Sequence, residues 1–388
     1  MSESYGTLRG EREQDAYARL LAHAFISPLE TAQDWIREAG AAEARVLRHG
    51  DEVVAGLLRI PMGQWFGGRS VPMVGIADVG TTPEVRGRGA ATQLMGAAVR
   101  EMHAGGTSLS VLYAASFPLY RRAGYEIAGS VHETTVPLDS LSHERGASLR
   151  RMTDDDLPAM RALRTELTRA RNGTLDRNAM MNARLFEHGG SVYEGFVVES
   201  GGEIDGYLIF VQRRKGDHLD ALMNDMVART QGTARRLLGF LADHKAQVKN
   251  ARWFGAAVDP FVMLLEQGTY RQHLREHWML RIVDVPAALQ ARGYDLALTE
   301  TLHLEVTDDV VEANAGRWKV QVDGGRATVS EGGDGTLRLG VRGLAPLYSG
   351  FLAPHELRLA GQLEADDEAC ATAGRVFAGA APFMAQMF

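Results

Sequence analysis

The sequence predicts an α+β chain of three successive segments, and three observations predict it. Strand and helix signals alternate through residues 1–140. The same succession returns, with altered turns, through 147–283. The remainder, 284–388, reads mainly as short strands between Gly-rich turns, with helices at its end. Recurrence of one strand–helix order indicates an internal duplication, and the whole is an α+β pattern. A length of 388 residues fits two or three domains.

In the first segment, a short strand over Ser4–Arg9 precedes the helical periodicity of Glu11–Phe25. PLETAQDWIREAG opens a second helix with Pro28 at its start. Ala44–Leu47, Glu52–Met62 and Ser70–Thr81 read as successive strands, with the compact runs EVVAGLLRI and VPMVGIADVG. A Gly/Arg turn then leads into a helix over Ala90–His103. SLSVLYAAS, Ser108–Ser116, has the content of a buried strand. A short helix through Tyr120 and a strand from Tyr125 to Val136 close the segment.

Pro137–Gly146 reads as a linker. In the second segment, TDDDLPAMRALRTEL repeats the early helix pattern, with Thr153 as its N-cap. Gly195–Glu199 and Glu203–Gln212 form a strand pair around Gly201-Gly202. Leu219–His244 occupies the place of the Gly/Arg strand–helix unit. The third segment opens with RIVDVPAALQARGY, Arg281–Tyr294. The strand-like TLHLEVTD, WKVQVD, RATVSEG and GTLRLGVRG follow, then helical stretches over Gly343–Gly350 and Asp366–Ala381.

Composition is that of a soluble globular protein, 45% apolar and 23% charged. A net charge of −7 argues against nucleic acid or an anionic membrane as the main partner, since both need a concentrated basic surface. Four of the 42 basic residues are Lys, a bias that points to a GC-rich bacterial genome. The single Cys370 excludes an intrachain disulfide and a cysteine-built metal site. MSESYGTLRGEREQD has no apolar stretch of the kind a signal peptide needs. No apolar run approaches the ~20 residues of a membrane span. A bacterial cytoplasmic protein is expected. Asn172-Gly-Thr174 matches a glycosylation acceptor, which in the expected absence of secretion is a chance match. His132, His218 and Asp225 lack ligand spacing, so no metal is expected.

The stretch that carries chemistry is PEVRGRGAATQLM, Pro83–Met95. A phosphate-binding P-loop needs a lysine, and no lysine precedes Lys215. A dinucleotide fingerprint needs a third glycine, where Thr92 stands. The pattern [R/Q]xxGx[G/A] fits, read as Arg86 to Ala91. Gly87 and Gly89 let backbone N–H groups approach a diphosphate. The helix starting near Ala90 adds its positive end, and Arg86 and Arg88 add charge-assisted contacts. Taken alone, the turn also reads as an exposed αβ turn with solvated arginines.

With this motif the sequence resembles the GCN5-related N-acetyltransferase (GNAT) superfamily, which binds acetyl-CoA here. VGTTPEVRGRGAATQLM, AASFPLYRRAGYE, RIVDVPAALQARGY and a final phenylalanine, in that order, resemble the Eis (enhanced intracellular survival) family over essentially the whole chain. The resemblance implies two GNAT-fold domains, the second degenerate, followed by a sterol-carrier-protein-like domain. It assigns residues 1–140 to the catalytic domain, 147–283 to the degenerate one and 284–388 to the third.

By resemblance, the backbone of Val79, Gly80 and Thr81 runs beside the pantetheine arm. Arg86, Gly87, Arg88, Gly89, Ala90, Ala91 and Thr92 match the pyrophosphate cradle. Ala115 and Ser116 match the second cofactor-contacting strand end. Tyr120 stands where the superfamily keeps a general acid for the departing CoA thiolate. The general base or orienting group in Eis-like enzymes is the C-terminal carboxylate, here that of Phe388. An α-carboxyl titrates near ~3.3–3.7 and is a poor base unless burial raises it. In the second segment ARTQGTARRLL replaces VRGRGAATQLM, and PFVMLLEQGTY replaces PLYRRAGY. Cradle glycine and tyrosine are lost together, so one cofactor site per chain is expected.

The implied reaction is acetyl transfer from acetyl-CoA to a primary amine by direct attack in a ternary complex. Mycobacterial members acetylate aminoglycosides and carry an acidic residue before the last phenylalanine. Met387 stands there in this chain, a departure that weakens the case for a polycationic acceptor. Phe25, Trp35 and Trp65 are candidate acceptor-lining residues. The acceptor is a small molecule or a peptide amine. A protein lysine acetyltransferase and a non-catalytic acyl-CoA-binding regulator are the alternative readings. The third domain is expected to position the terminus rather than carry lipid, and the family resemblance implies a hexamer.

Overall fold

The computed structural model describes residues 3–188 and 190–388. In the first segment, β1 (Glu3–Gly6) is followed by helices α1 (Glu11–Phe25) and α2 (Leu29–Ala39). Then come β2 (Ala44–His49), β3 (Glu52–Phe66) and β4 (Arg69–Thr81). Helix α3 (Ala90–Ala104), β5 (Leu109–Tyr113), α4 (Phe117–Arg122) and β6 (Glu126–Pro137) complete it. The helix α3 buries Leu94, Met95, Ala98, Val99 and Met102, spaced three and four apart on one face. That face packs on Leu57, Val74, Ile76 and Leu112 of the strands beneath.

The second segment runs through β7 (Ser148–Arg151), α5 (Leu157–Thr168), β8 (Glu194–Ser200), β9 (Glu203–Lys215) and β10 (His218–Ala228). It continues with α6 (Gln231–Ala242), β11 (Val248–Gly255) and β12 (Arg271–Ile282). The third segment has helix α7 (Val285–Ala291), then β13 (Glu300–Thr307), β14 (Gly316–Asp323), β15 (Arg326–Glu331) and β16 (Leu337–Gly340). Helices α8 (Val341–Ser349), α9 (Pro354–Leu359) and α10 (Asp367–Val376) end it. Its strands stand in the order β15-β14-β13-β16.

Among the described residues, those up to 129 together with 277–380 and 388 gather into one compact unit, and 130–276 with 381–387 into another. The chain therefore crosses between units inside β6 and again inside β12. In the first unit β3/β4 is antiparallel, β4/β5 parallel and β5/β12 antiparallel. In the second, β9/β10 is antiparallel, β10/β11 parallel and β11/β6 antiparallel. The two pairing patterns are the same, as a duplication requires. The closing strands are exchanged, though. Trp278–Ile282 of β12 pairs with β5, while His132–Pro137 of β6 pairs with β11. The strand read from sequence as closing the first segment thus gives its second half to the other unit. Period and propensity fix that a segment is extended, not which neighbour it pairs with.

Within the first unit the third segment is held by a buried ion pair. The Arg281 guanidinium meets the Asp308 carboxylate at 2.6 Å, with both side chains fully buried. Asn314 and the backbone N–H groups of Val310 and Val311 satisfy the remaining Asp308 acceptors. The acid's acceptors are thus filled, while the Arg281 Nε and one of its terminal nitrogens have no acceptor among the described residues. Two local readings differ from the structure. The last helix stops at Val376 rather than reaching Ala381, just before Gly379 and Pro382 break the pattern. Helix α9 has six residues, too few for periodicity to show. Its signals are local: Pro354 in its first turn and the Glu356 carboxylate accepting from the Ala353 N–H at 2.7 Å.

The exchanged strands are packed without slack. A Cβ added at Gly129 would lie 2.4 Å from ring atoms of the fully buried Trp278. Gly129→Ala is expected to cost about 1–3 kcal/mol of stability through overpacking, read as a lower urea midpoint with an unchanged slope.

Candidate functional site

Strands β4 and β5 pair over three residues only: Met73 with Leu109, Val74 with Ser110 and Gly75 with Val111. Past Gly75, β4 runs on to Thr81 and β5 to Tyr113 without pairing to each other. The two strands splay, and a V-shaped slot opens between the end of β4 and the end of β5. Val79, Gly80 and Thr81 form one lip, Ala115 and Ser116 the other.

The β4 lip is shaped by a bulge. Gly56 pairs with Gly80 and Leu58 with Ala77, so Asp78 and Val79 of β4 stand opposite the single Leu57 of β3. Asp78 adopts a left-handed conformation, φ 52°. The Tyr17 hydroxyl of α1 donates to the Asp78 carbonyl at 3.1 Å. The Tyr17 ring lies so close to β3 that a Cβ on Gly56 would stand 2.4 Å from it. A Cβ on Gly80 would lie 2.5 Å from Leu20, also on α1. Helix α1 thus clamps the bulge, and two glycines admit it. Tyr17, Gly56 and Asp78 were not singled out from the sequence. The one available signal was a glycine inside the apolar run EVVAGLLRI, which marks a close approach or a bulge.

The cradle residues follow directly. Gly87 and Gly89 have φ of 76° and 89°. A Cβ on either would meet nothing within 4 Å, so backbone conformation, not crowding, requires glycine. Both are exposed, as are Arg86 and Arg88, and neither arginine is ion-paired to another described residue. Gly89 caps α3, whose first internal bond runs from the Gln93 N–H to the Gly89 carbonyl. The N–H groups of Ala90, Ala91 and Thr92 therefore point out of the helix start, where they favour an anion. The Arg122 guanidinium reaches the Thr92 hydroxyl at 3.5 Å and ties α4 to this turn.

Two tyrosines lie on the α4 side, and their hydroxyls differ. Tyr125 is fully buried and hydrogen-bonded to the Ser110 hydroxyl at 2.7 Å, which donates to the Val74 carbonyl at 2.9 Å. The Tyr120 ring stands edge-on to it at 6.2 Å. The Tyr120 hydroxyl makes no hydrogen bond to another described residue. Burial pushes its pKa up to about 12, so the phenol stays protonated across the physiological range.

Phe388 sits at the root of the slot. Its ring fills the space above Gly75, the last paired residue, where a Cβ would stand 2.5 Å away. Tyr113 stands edge-on to it at 6.5 Å. The structure does not bring the three aromatic acceptor candidates together. Phe25 ends α1 and is half exposed, and Trp35 is half-buried on α2. Trp65 pairs with Ser70, nine residues along β3 from the Gly56–Gly80 pair, or roughly 30 Å. Strand alternation also turns it to the face opposite Met62.

In the second unit, β10 and β11 splay in the same way after Leu222 and Arg252. The helix start beside this slot is built differently. The buried Asp205 carboxylate accepts from the Thr230 hydroxyl at 2.9 Å and from the Thr233 hydroxyl, and Arg229 lies 3.5 Å away. Asp205 thus holds the hydroxyls of Thr230, the N-cap of α6, and of Thr233 in its first turn. His218 lies beside Asp217 and Asp220, and Asp225 pairs with Arg177. No group of three or more metal-ligating side chains occurs among the described residues. No helix among them is long and apolar enough to cross a membrane.

Comparison with known proteins agrees with this geometry. Acetyltransferase (GNAT) domain models match residues 8–128 and 173–282, and a sterol carrier protein domain model matches 285–385. An uncharacterized N-acetyltransferase of Streptomyces avermitilis is 30% identical over 319 residues, 76% of each chain. One from Streptomyces coelicolor is 28% identical over 316 residues, again 76% of each. The crystal structure of a GCN5-related N-acetyltransferase from Anabaena variabilis superposes with a TM-score of 0.96 at 33% identity, covering 100% of both chains. Eis1 from Mycobacterium abscessus shares the fold, with a TM-score of 0.81 at 22% identity over 99% of this chain and 100% of that one.

Proposed function

The chain belongs to the GCN5-related N-acetyltransferases, in the Eis-like arrangement of two acetyltransferase domains and a sterol carrier domain, and from this we propose that it transfers acetyl from acetyl-CoA to a primary amine by direct attack in a ternary complex. The observation that carries the reading is the splay of β4 from β5, with an unbonded, protonated tyrosine hydroxyl on one side and an open, positively charged turn at its end. In this reading the pyrophosphate lies on the Gly87–Thr92 turn, with Arg86 and Arg88 beside it. The pantetheine arm follows Val79–Thr81, Ala115 and Ser116 flank the thioester, and the bulge turns the Val79 amide toward its carbonyl oxygen.

The amine nitrogen attacks the thioester carbon and forms the C–N bond. The C–S bond then breaks, and sulfur leaves with the electron pair. Tyr120 donates its proton to that sulfur, giving CoA thiol. The ammonium first loses a proton to water or to the Phe388 carboxylate, since only the neutral amine attacks, and the cationic nitrogen of the adduct then releases a second proton, which restores the Tyr120 phenol. The second domain carries no donor in this reading, since its turn lacks the second cradle glycine and no tyrosine stands at the catalytic spacing. The acceptor is a small or peptide amine of low charge. The residue before Phe388 is the partly exposed, apolar Met387, which offers a polycation nothing.

Incubation with acetyl-CoA and a panel of amines, lysine peptides and an aminoglycoside tests the reading. Acetylated small or peptide amines are expected, and no CoA release with any member would sink it. Tyr120→Phe is expected to lower kcat by about 10²–10⁴-fold, with CoA affinity kept. The raised Tyr120 pKa places its deprotonation near 12, so the wild-type enzyme should show no alkaline loss of kcat below about pH 11. One alanine added after Phe388 is expected to lower kcat at least tenfold. Wild-type turnover in that extended protein removes the carboxylate from the mechanism.

A further inference from the structure

Two arginines stand side by side at the end of α4, and they are used differently. The Arg121 guanidinium closes on Glu126, with Nη2 at 2.7 Å and Nε at 3.0 Å, and that carboxylate is 4% exposed. Arg121 thus pins α4 to the start of β6. Arg122 is exposed and makes no ion pair with another described residue. A guanidinium has five N–H donors. Among the described residues Arg122 places one of them, on the Thr92 hydroxyl at 3.5 Å. A neutral oxygen at that distance is a weak partner for a full charge.

We infer that Arg122 grips the diphosphate of the donor and, through α4, sets the general acid in place, a coupling that rests on the acetyl-transfer reading above. Thr92 is the third residue of α3, which starts at Ala90. Helix side chains lean toward the N-terminal end, so the Thr92 hydroxyl lies at the helix mouth, beside the N–H groups that seat an anion. The Arg122 guanidinium stands at the same mouth. It arrives from α4, whereas Arg86 and Arg88 belong to the turn itself. A phosphate there offers it the ionised, bidentate partner that a hydroxyl is not.

The same six-residue helix carries Tyr120, two residues before Arg122. The Tyr120 carbonyl accepts from the Ala123 N–H at 2.9 Å and from the Tyr125 N–H at 3.1 Å, so the turn that bears Arg122 closes on the backbone of the tyrosine. Where Arg122 is drawn, Tyr120 follows. The Tyr120 hydroxyl has no hydrogen-bond partner among the described residues to fix its direction. The grip on the remote phosphates supplies that constraint, so binding energy from a non-reacting part of the donor goes into placing a reacting group. Arg122 is then a binding residue for the donor and a positioning residue for the acid, and it lies outside the Arg86–Thr92 motif.

Two measurements on the full chain test this. Because Arg122 is exposed, Arg122→Ala removes no packing. Calorimetric titration with CoA reads the grip, and the variant is expected to bind about tenfold more weakly or worse. Turnover reads the coupling. With acetyl-CoA, Arg122→Ala is expected to lower kcat about tenfold, while kcat/KM for S-acetylpantetheine, which has no diphosphate, stays at the wild-type value. In a Tyr120→Phe background the same change is expected to lower kcat by less than about twofold, since the residue it acts through is gone. Unchanged CoA affinity in Arg122→Ala overturns the grip, whatever the acceptor proves to be. An equal loss of kcat in both backgrounds, or an equal loss with S-acetylpantetheine, overturns the coupling. Wild-type turnover in Tyr120→Phe alone instead removes the general acid and the coupling with it, and the calorimetric result then decides the grip by itself.

Discussion

Everything at the first site depends on where the parallel pairing of β4 with β5 stops. Three rungs hold the strands together, and the fourth does not form. A parallel sheet normally continues its ladder, because an unpaired buried backbone group is costly. Here the bulge at Asp78 rotates the end of β4, and Tyr17 holds the rotated carbonyl from above. The freed backbone groups of both lips are then available to a guest with amides of its own. Gly75 marks the branching point, and the space its missing side chain leaves is filled by the Phe388 ring. One geometric event thus makes the slot, its lining and the seat for the end of the chain.

The second unit keeps the same event and changes its surroundings. Its strands also diverge, but Asp205 ties the hydroxyls of Thr230 and Thr233 at the helix start, and two arginines close on one aspartate nearby. The first site presents exposed arginines at a helix start, which suits a large, highly charged donor held mostly by backbone. The second holds its arginines in buried ion pairs with Asp225. Duplication supplied two equal scaffolds. What separates them is where the positive charge lies relative to the water.

The Gly/Arg turn was legible in the sequence because its demands are local. Gly87 and Gly89 stand where the backbone takes positive φ, and a helix pattern begins at Ala90. The duplication and the three-segment order were legible for the same reason, as periodicities and turn signals. What was not legible was set by distant partners. Tyr17 reaching Asp78, Gly56 yielding to the Tyr17 ring, and Asp205 entering the α6 start each join residues tens of positions apart. Trp65 was nominated on residue type alone, and strand register puts it at the far end of β3. The exchange of β6 and β12 was equally hidden, since both candidate pairings satisfy the same alternation of apolar residues.

That exchange has a consequence for how the molecule is made. The sheet that holds the transfer slot is finished by Trp278–Ile282. During synthesis, the first 129 residues therefore leave the ribosome with β5 exposed along one edge, and they wait through about 150 further residues for their neighbour. At ~5–20 residues per second this lasts on the order of ten seconds or more. The two acetyltransferase segments mature together, and neither is a portable module that could be cut out and kept whole. Each of the two sheets is closed by a strand that begins or ends in the other unit, so a cut between the segments leaves both unfinished.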